Sequence, residues 1–171
     1  MYHLNFWYRK DFYLERVNKI LSNTEFKHCL QTIETLEKDR IFCKHGITHL
    51  LDTARIGYIL NLENSLNIPK DIIYATALLH DIGRYDEYIY KISHHKISKR
   101  IITILKDCNY SNDEISTIVE AIGNHDKPPT DIKTLSDVLY KADKLSRMCF
   151  NCNAQNECYW NTNKKNKTLI V

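Results

Sequence analysis

Apolar side chains recur at three- and four-residue intervals along most of this chain, with charged residues between them, and that spacing predicts helices. Phe26, Cys29, Leu30, Ile33 and Leu36 mark the buried face of one helix, and Ser22 followed by Glu25 resembles a capping box that opens it. A shorter helix over residues 11–21 precedes it. The pattern returns over residues 48–61 through Leu50, Leu51, Ala54, Ile56, Ile59 and Leu60, and a break over residues 64–67 follows it. Pro69 suits a first helical turn. After it Ile72, Ile73, Tyr74, Ala75, Ala77, Leu78 and Leu79 are apolar nearly all round, so this helix is central and buried. It runs to His80-Asp81 and stops near Gly83. Further helices are expected over residues 93–107, 111–124 (Ser111 with Glu114 as a capping box) and 134–148. Lys127-Pro128-Pro129 reads as a loop, and Thr168-Leu169-Ile170-Val171 as extended chain.

Only four glycines and three prolines are present, too little turn chemistry for many short strands. The expected fold is all-α, one domain built as a bundle of roughly seven helices. Within it, residues 1–40 supply N-terminal helices that pack on a core of residues 41–148, and residues 149–171 form a cysteine-bearing end. A hydrophobic share of 43% and a charged share of 26% suit a globular domain. The net charge of +3 argues against a nucleic-acid or membrane partner and is compatible with a small phosphorylated molecule. The first residues are aromatic but interrupted by charges, unlike a signal peptide or a membrane span, so a cytoplasmic location is expected. In a reducing compartment the six cysteines are buried thiols, metal ligands or redox groups rather than a disulfide framework.

The buried helix carries His80 and Asp81 into the interior. An unpaired buried carboxylate costs roughly several kcal/mol, so Asp81 needs a cation, a metal or several donors. His80 or a lysine would suffice as a structural partner. Other histidines change the balance: His45, His49, His94, His95 and His125 all fall at expected helix ends, and Asp143 follows in Lys141-Ala142-Asp143-Lys144. His45 stands four residues before His49, on the same helical face, as a group that orients a ligand or touches substrate. His3 and His28 read as ordinary.

The order His49, His80-Asp81, Asp143 resembles the HD-domain superfamily of metal-dependent phosphohydrolases. The stretch Ala77-Leu78-Leu79-His80-Asp81-Ile82-Gly83-Arg84 is similar to its central motif, and Tyr140-Lys141-Ala142-Asp143-Lys144 to its last. The resemblance implies a central site in which His49, His80, Asp81 and Asp143 hold a divalent transition metal. Members with two metals add histidines before the last aspartate. His94, four residues before the small Ser98, and His125 in Asn124-His125-Asp126 resemble those additions, with His95 the spectator of its pair or a substrate contact. Two ions are therefore expected, drawn from Mn, Fe, Co, Ni or Zn, with Asp81 bridging. Mixed imidazoles and carboxylates suit such ions, and a metal brings the pKa of bound water to about 7. The implied activity is hydrolysis of a phosphate ester, with a nucleotide the favoured substrate. Asp81 is its central catalytic residue, and Lys144 and Arg84 are the cations placed to meet the phosphate. Two other classes share the ligand pattern: an oxygenase with two irons, and a non-catalytic nucleotide or metal sensor.

Cys149-x2-Cys152-x5-Cys158 follows directly, in a segment poor in apolar residues. With Cys43 as a fourth, these thiols are eligible ligands of a structural zinc or an iron–sulfur cluster. The alternative is reduced thiols acting as small apolar groups, the reading given to Cys29 and Cys108.

Overall fold

The computed structural model describes residues 14–93 and 99–170. They form eight α-helices: α1 (Glu15–Ser22), α2 (Thr24–Leu36), α3 (Ile47–Glu63), α4 (Lys70–Leu79), α5 (Arg84–Tyr90), α6 (Lys99–Asp107), α7 (Asn112–Gly123) and α8 (Leu135–Leu145). Two single 3-10 turns follow, Cys149–Asn151 and Thr162–Lys164. No strand occurs among the described residues, so the all-helical class holds. No described helix is long and apolar enough to cross a membrane.

The helix α4 is the axis of the fold. Ile72, Ile73, Ala75, Thr76, Ala77, Leu78 and Leu79 are all buried. The one polar side chain in that run, Thr76, returns its hydroxyl to the Ile72 carbonyl at 2.7 Å. Around α4 pack α3, α7, α8 and α1; α2 closes over α5 and α6. The capping boxes at α7 and α8 are complete: Ser111 with Glu114, and Thr134 with Asp137, each exchange side-chain and backbone hydrogen bonds.

Several expected boundaries move, each for a local reason. Ser22 does not cap α2; it ends α1 with its hydroxyl on the Lys19 carbonyl, and Asn23 accepts from the Phe26 amide instead. Gly83 does not stop the central helix. That helix ends at Leu79, and Gly83, at φ −59°, enters α5, a helix the apolar spacing did not reveal. Ser93 lies outside any helix, and α6 is described from Lys99. Leu169 and Ile170 are exposed and pair with no strand.

Two contacts fix how the helices meet. Arg16 of α1 donates to Asp71 of α4 and, at 2.7 and 2.8 Å, to both oxygens of Glu114 on α7, while its guanidinium lies 4.2 Å over the Tyr110 ring. At Gly57, α4 and α8 approach α3 closely. A Cβ there would stand 3.2 Å from Ile73 Cγ2, 3.4 Å from Val138 Cγ1 and 3.6 Å from Ala142 Cβ. Replacing Gly57 by leucine should overpack this crossing and cost about 2 kcal/mol or more. At roughly 2–4 °C per kcal/mol for a chain of this size, the melting temperature should fall clearly. An unchanged melting temperature in the Gly57→Leu variant would contradict the close approach.

Candidate metal centre

Three stretches far apart in sequence deliver one cluster. His49 stands in the first turn of α3, whose start is held by α2: the Ile47 amide donates to Glu34 Oε1 at 3.0 Å. His80 and Asp81 occupy the turn between α4 and α5, and Asp143 the last turn of α8. One ligand atom from each of these four residues lies within 4.8 Å of every other, and all four residues are buried. His49 Nε2 is 3.4 Å from Asp81 Oδ2 and 3.2 Å from Asp143 Oδ1; His80 Nε2 is 3.0 Å from Asp81 Oδ2 and 3.9 Å from Asp143 Oδ1.

The surroundings select the imidazole tautomers. His80 Nδ1 lies 2.7 Å from the Ala77 carbonyl, which can only accept, so Nδ1 carries a proton and Nε2 faces the cluster. The Ser146 hydroxyl donates to the Asp143 carbonyl at 2.7 Å, which leaves its oxygen to accept from His49 Nδ1 at 3.0 Å. His125 repeats the device, with Nδ1 on the Ile122 carbonyl and its ring 5.7 Å from that of His80. This is how proteins orient imidazoles toward metals.

Electrostatics point the same way. Burial opposes ionisation of Asp81, but His80, His49 and Arg84 outweigh it and hold the carboxyl well below its usual range. For Asp143 burial is likewise outweighed, by His49, His80 and Arg147. Burial would lower the His80 pKa, yet the two aspartates push it up. His125 goes down, through burial and the neighbouring His80, and so stays neutral. The decisive detail is that His80 Nε2 and Asp81 Oδ2 are buried without any hydrogen-bond partner although only 3.0 Å apart. The two atoms face one another without the geometry of a hydrogen bond. Two imidazoles and two carboxylates gathered in this way fit a divalent transition metal.

Cations line the outer side. Arg84 Nε donates to Asp81 Oδ1 at 2.7 Å, and Lys144 Nζ to Asp143 Oδ2 at 2.6 Å. Their side chains are 18% and 38% exposed, against 1–7% for the four clustered residues, so they stand between the cluster and solvent. His94 and His95 lie outside the described residues. Of the cysteines, Cys149 is buried and Cys43, Cys152 and Cys158 are half-buried, while Cys29 and Cys108 sit in the main core.

Sequence reasoning missed three residues here. Arg147 places one amino group 3.1 Å from His49 Nε2 and 3.0 Å from Asp143 Oδ1; its position four residues beyond Asp143 was the available signal. Ser146 sets the His49 tautomer. Glu37 is buried and receives the His45 amide at 2.7 Å, His45 Nδ1 at 2.6 Å and the Tyr88 hydroxyl. Burial would raise its pKa, but these donors hold it at about 2. Its signal was phase: Phe26, Leu30 and Ile33 point on to Glu37, whereas Leu36 is 54% exposed. His45 thus stands as an oriented side chain with its ring 5.9 Å from that of His49, and its own pKa is lowered, by burial above all.

A helical domain folded around such a His/Asp centre defines a class, and the comparisons agree with it. The family model described as HD domain matches residues 46–148, and the chain belongs to that family. It is 43% identical over 158 residues to a Clostridium beijerinckii protein described as an uncharacterized protein, covering 90% of this chain and 97% of that one. No solved structure matches it.

Because the folded pKa of Glu37 lies below the ordinary value of 4.5, its contribution to stability is present above pH 4.5 and lost as pH falls toward about 2. Glu37→Gln should be less stable than the wild type at neutral pH, and the gap should close across that window. Denaturant titrations of both proteins at several pH values test this; a gap that stays constant with pH would refute the ionised Glu37.

Proposed function

We propose that this protein hydrolyses a phosphate ester of a small molecule, a nucleotide being the favoured class, at a divalent-metal centre held by His49, His80, Asp81 and Asp143. The observation that carries the reading is the pair of buried, unpartnered ligand atoms His80 Nε2 and Asp81 Oδ2 inside a four-residue donor set. Membership of the HD family supports it.

When bound, a metal supplies a Lewis acid that brings a water's pKa to about 7. The chain supplies the rest. His49 and His80 offer Nε2 because Ser146 and Ala77 hold their Nδ1 atoms. Arg84 and Lys144 balance the outer oxygens of Asp81 and Asp143 and reach toward solvent, where a phosphoryl group would arrive. Such cations stabilise charge that builds on phosphoryl oxygens in the transition state. Arg147 now shares its amino group between His49 Nε2 and Asp143 Oδ1, the atoms a metal would claim. With a metal held by His49 and Asp143, that amino group would be available to a substrate. His125, neutral and turned with Nε2 away from Ile122, is the described residue that would serve a second ion.

The test is a panel of nucleotides and other phosphate esters assayed with manganese, cobalt or nickel. Wild-type protein should release phosphate or a phosphorylated product, and Asp81→Ala, with helicity retained by circular dichroism, should lose turnover altogether. Unchanged hydrolysis by Asp81→Ala would sink the proposal.

Arg147→Ala separates two roles in one variant. Removing a group that competes for His49 Nε2 should leave metal affinity equal or tighter by calorimetry, while kcat/KM falls about a hundredfold or more. Weaker metal binding with unaltered kcat/KM would mean that Arg147 only supports the ligands.

A further inference from the structure

Residues 149–170 are held against the core by very little of what usually holds a chain. Only Cys149 and Ala154 are buried, and regular structure is limited to two three-residue 3-10 turns. Ordering a backbone costs about 1–2 kcal/mol per residue, and burying two small side chains returns about 2 kcal/mol or less. Asn166 adds hydrogen bonds to the Lys144 and Arg147 carbonyls at 2.7 and 2.8 Å, and Lys165 one to the Gln155 carbonyl at 2.6 Å, each worth about 1 kcal/mol net. A further tether is required.

The cysteines are where that tether would act. The Cys152 amide donates to the Cys149 carbonyl at 3.3 Å across a 3-10 turn, a geometry in which residues three apart lie on one side. Gln155 then folds back onto the Cys149 carbonyl at 2.6 Å, turning the chain toward Cys158. Cys43 is bracketed by contacts from the same segment. Its neighbour Phe42 stacks edge-on against Tyr159, next to Cys158, with ring centroids 6.1 Å apart. Its other neighbour, Lys44, receives the Arg147 guanidinium on its carbonyl at 3.4 Å, two residues before Cys149.

We propose that Cys43, Cys149, Cys152 and Cys158 form a four-thiolate site for a [4Fe–4S] cluster that fastens the C-terminal segment to the HD core. A looser gathering of the sulfurs than a zinc tetrahedron needs is what favours the cluster over zinc. Tetrahedral zinc, with bonds of about 2.3 Å, needs its sulfurs roughly 3.8 Å apart. Among the described residues it is the His/Asp set whose ligand atoms gather within 4.8 Å, and no three of these sulfurs do so. A cubane spreads its thiolates further, because each binds a different iron. The site is distinct from the His/Asp centre, and its existence does not depend on the hydrolytic reading. Arg147 nevertheless touches both: its guanidinium reaches His49 and Asp143, and its carbonyl accepts from the Cys149 amide at 2.9 Å.

The experiment is anaerobic purification of the full chain without an affinity-tag metal, followed by iron, zinc and acid-labile sulfide analysis and a visible absorption spectrum. About four sulfides per chain, with iron in at least matching amount and a broad absorption that reductant bleaches, are expected. Cys43→Ser and Cys152→Ser should lose the sulfide and absorption, while Cys29→Ser and Cys108→Ser should keep them. Circular dichroism and manganese binding at the His/Asp centre establish that the variants remain folded. In the Cys43→Ser protein, trypsin should trim the C-terminal lysine-bearing segment and leave the core. Zinc without sulfide, iron without sulfide, or sulfide retained in both Cys43→Ser and Cys152→Ser would each overturn the proposal.

Discussion

Two carboxylates buried side by side govern this structure. Asp81 and Asp143 are both almost wholly excluded from water, and neither can remain charged there without positive partners. The fold meets that demand in two layers. Imidazole nitrogens of His49 and His80 and the Arg147 guanidinium face the inner oxygens, and Arg84 and Lys144 approach from outside. Everything that positions those groups is thereby constrained: the turn between α4 and α5, the first turn of α3 and the last turn of α8.

The constraint reaches into the packing. For His49 and Asp143 to meet, α3 and α8 must run close together, and Gly57, one face of which would hold a Cβ against Val138 and Ala142, lets them do so. On the other side, α2 ends on Glu37, whose carboxylate orients His45 beside His49. A helix chosen for its apolar face thus ends by delivering a charge. The Arg16 network at α1, α4 and α7 lies away from this chemistry and serves packing alone.

What was legible in the sequence followed from periodicity and local capping. The buried run of α4 and the Ser111 capping box are local signals, and the helices they mark are present. The meeting of His49, His80, Asp81 and Asp143 was legible because these residues sit in short motifs of distinctive order. Harder to see were α5, too short for a clear period, and the true cap at Asn23, one residue from an equally good serine. Arg147 and Glu37 escaped although Asp143 and His45 stand only four and eight residues away, because an arginine after a helix and a glutamate within an amphipathic pattern look solvated until a fold closes over them. The dinuclear expectation stays open at His94, which lies outside the described residues, whereas His125 is buried beside His80.

The His/Asp quartet is split between the front, middle and rear of the HD region, so it exists only when two long loops have closed. Closing such loops carries an entropy cost that rises slowly with their length, and a partly synthesised chain lacking Asp143 cannot assemble the set at all. Any ion that binds only the finished quartet therefore enters after the bundle has formed and draws the folding equilibrium forward by mass action. Cellular metal supply would then govern how long the protein persists, as well as whether it works.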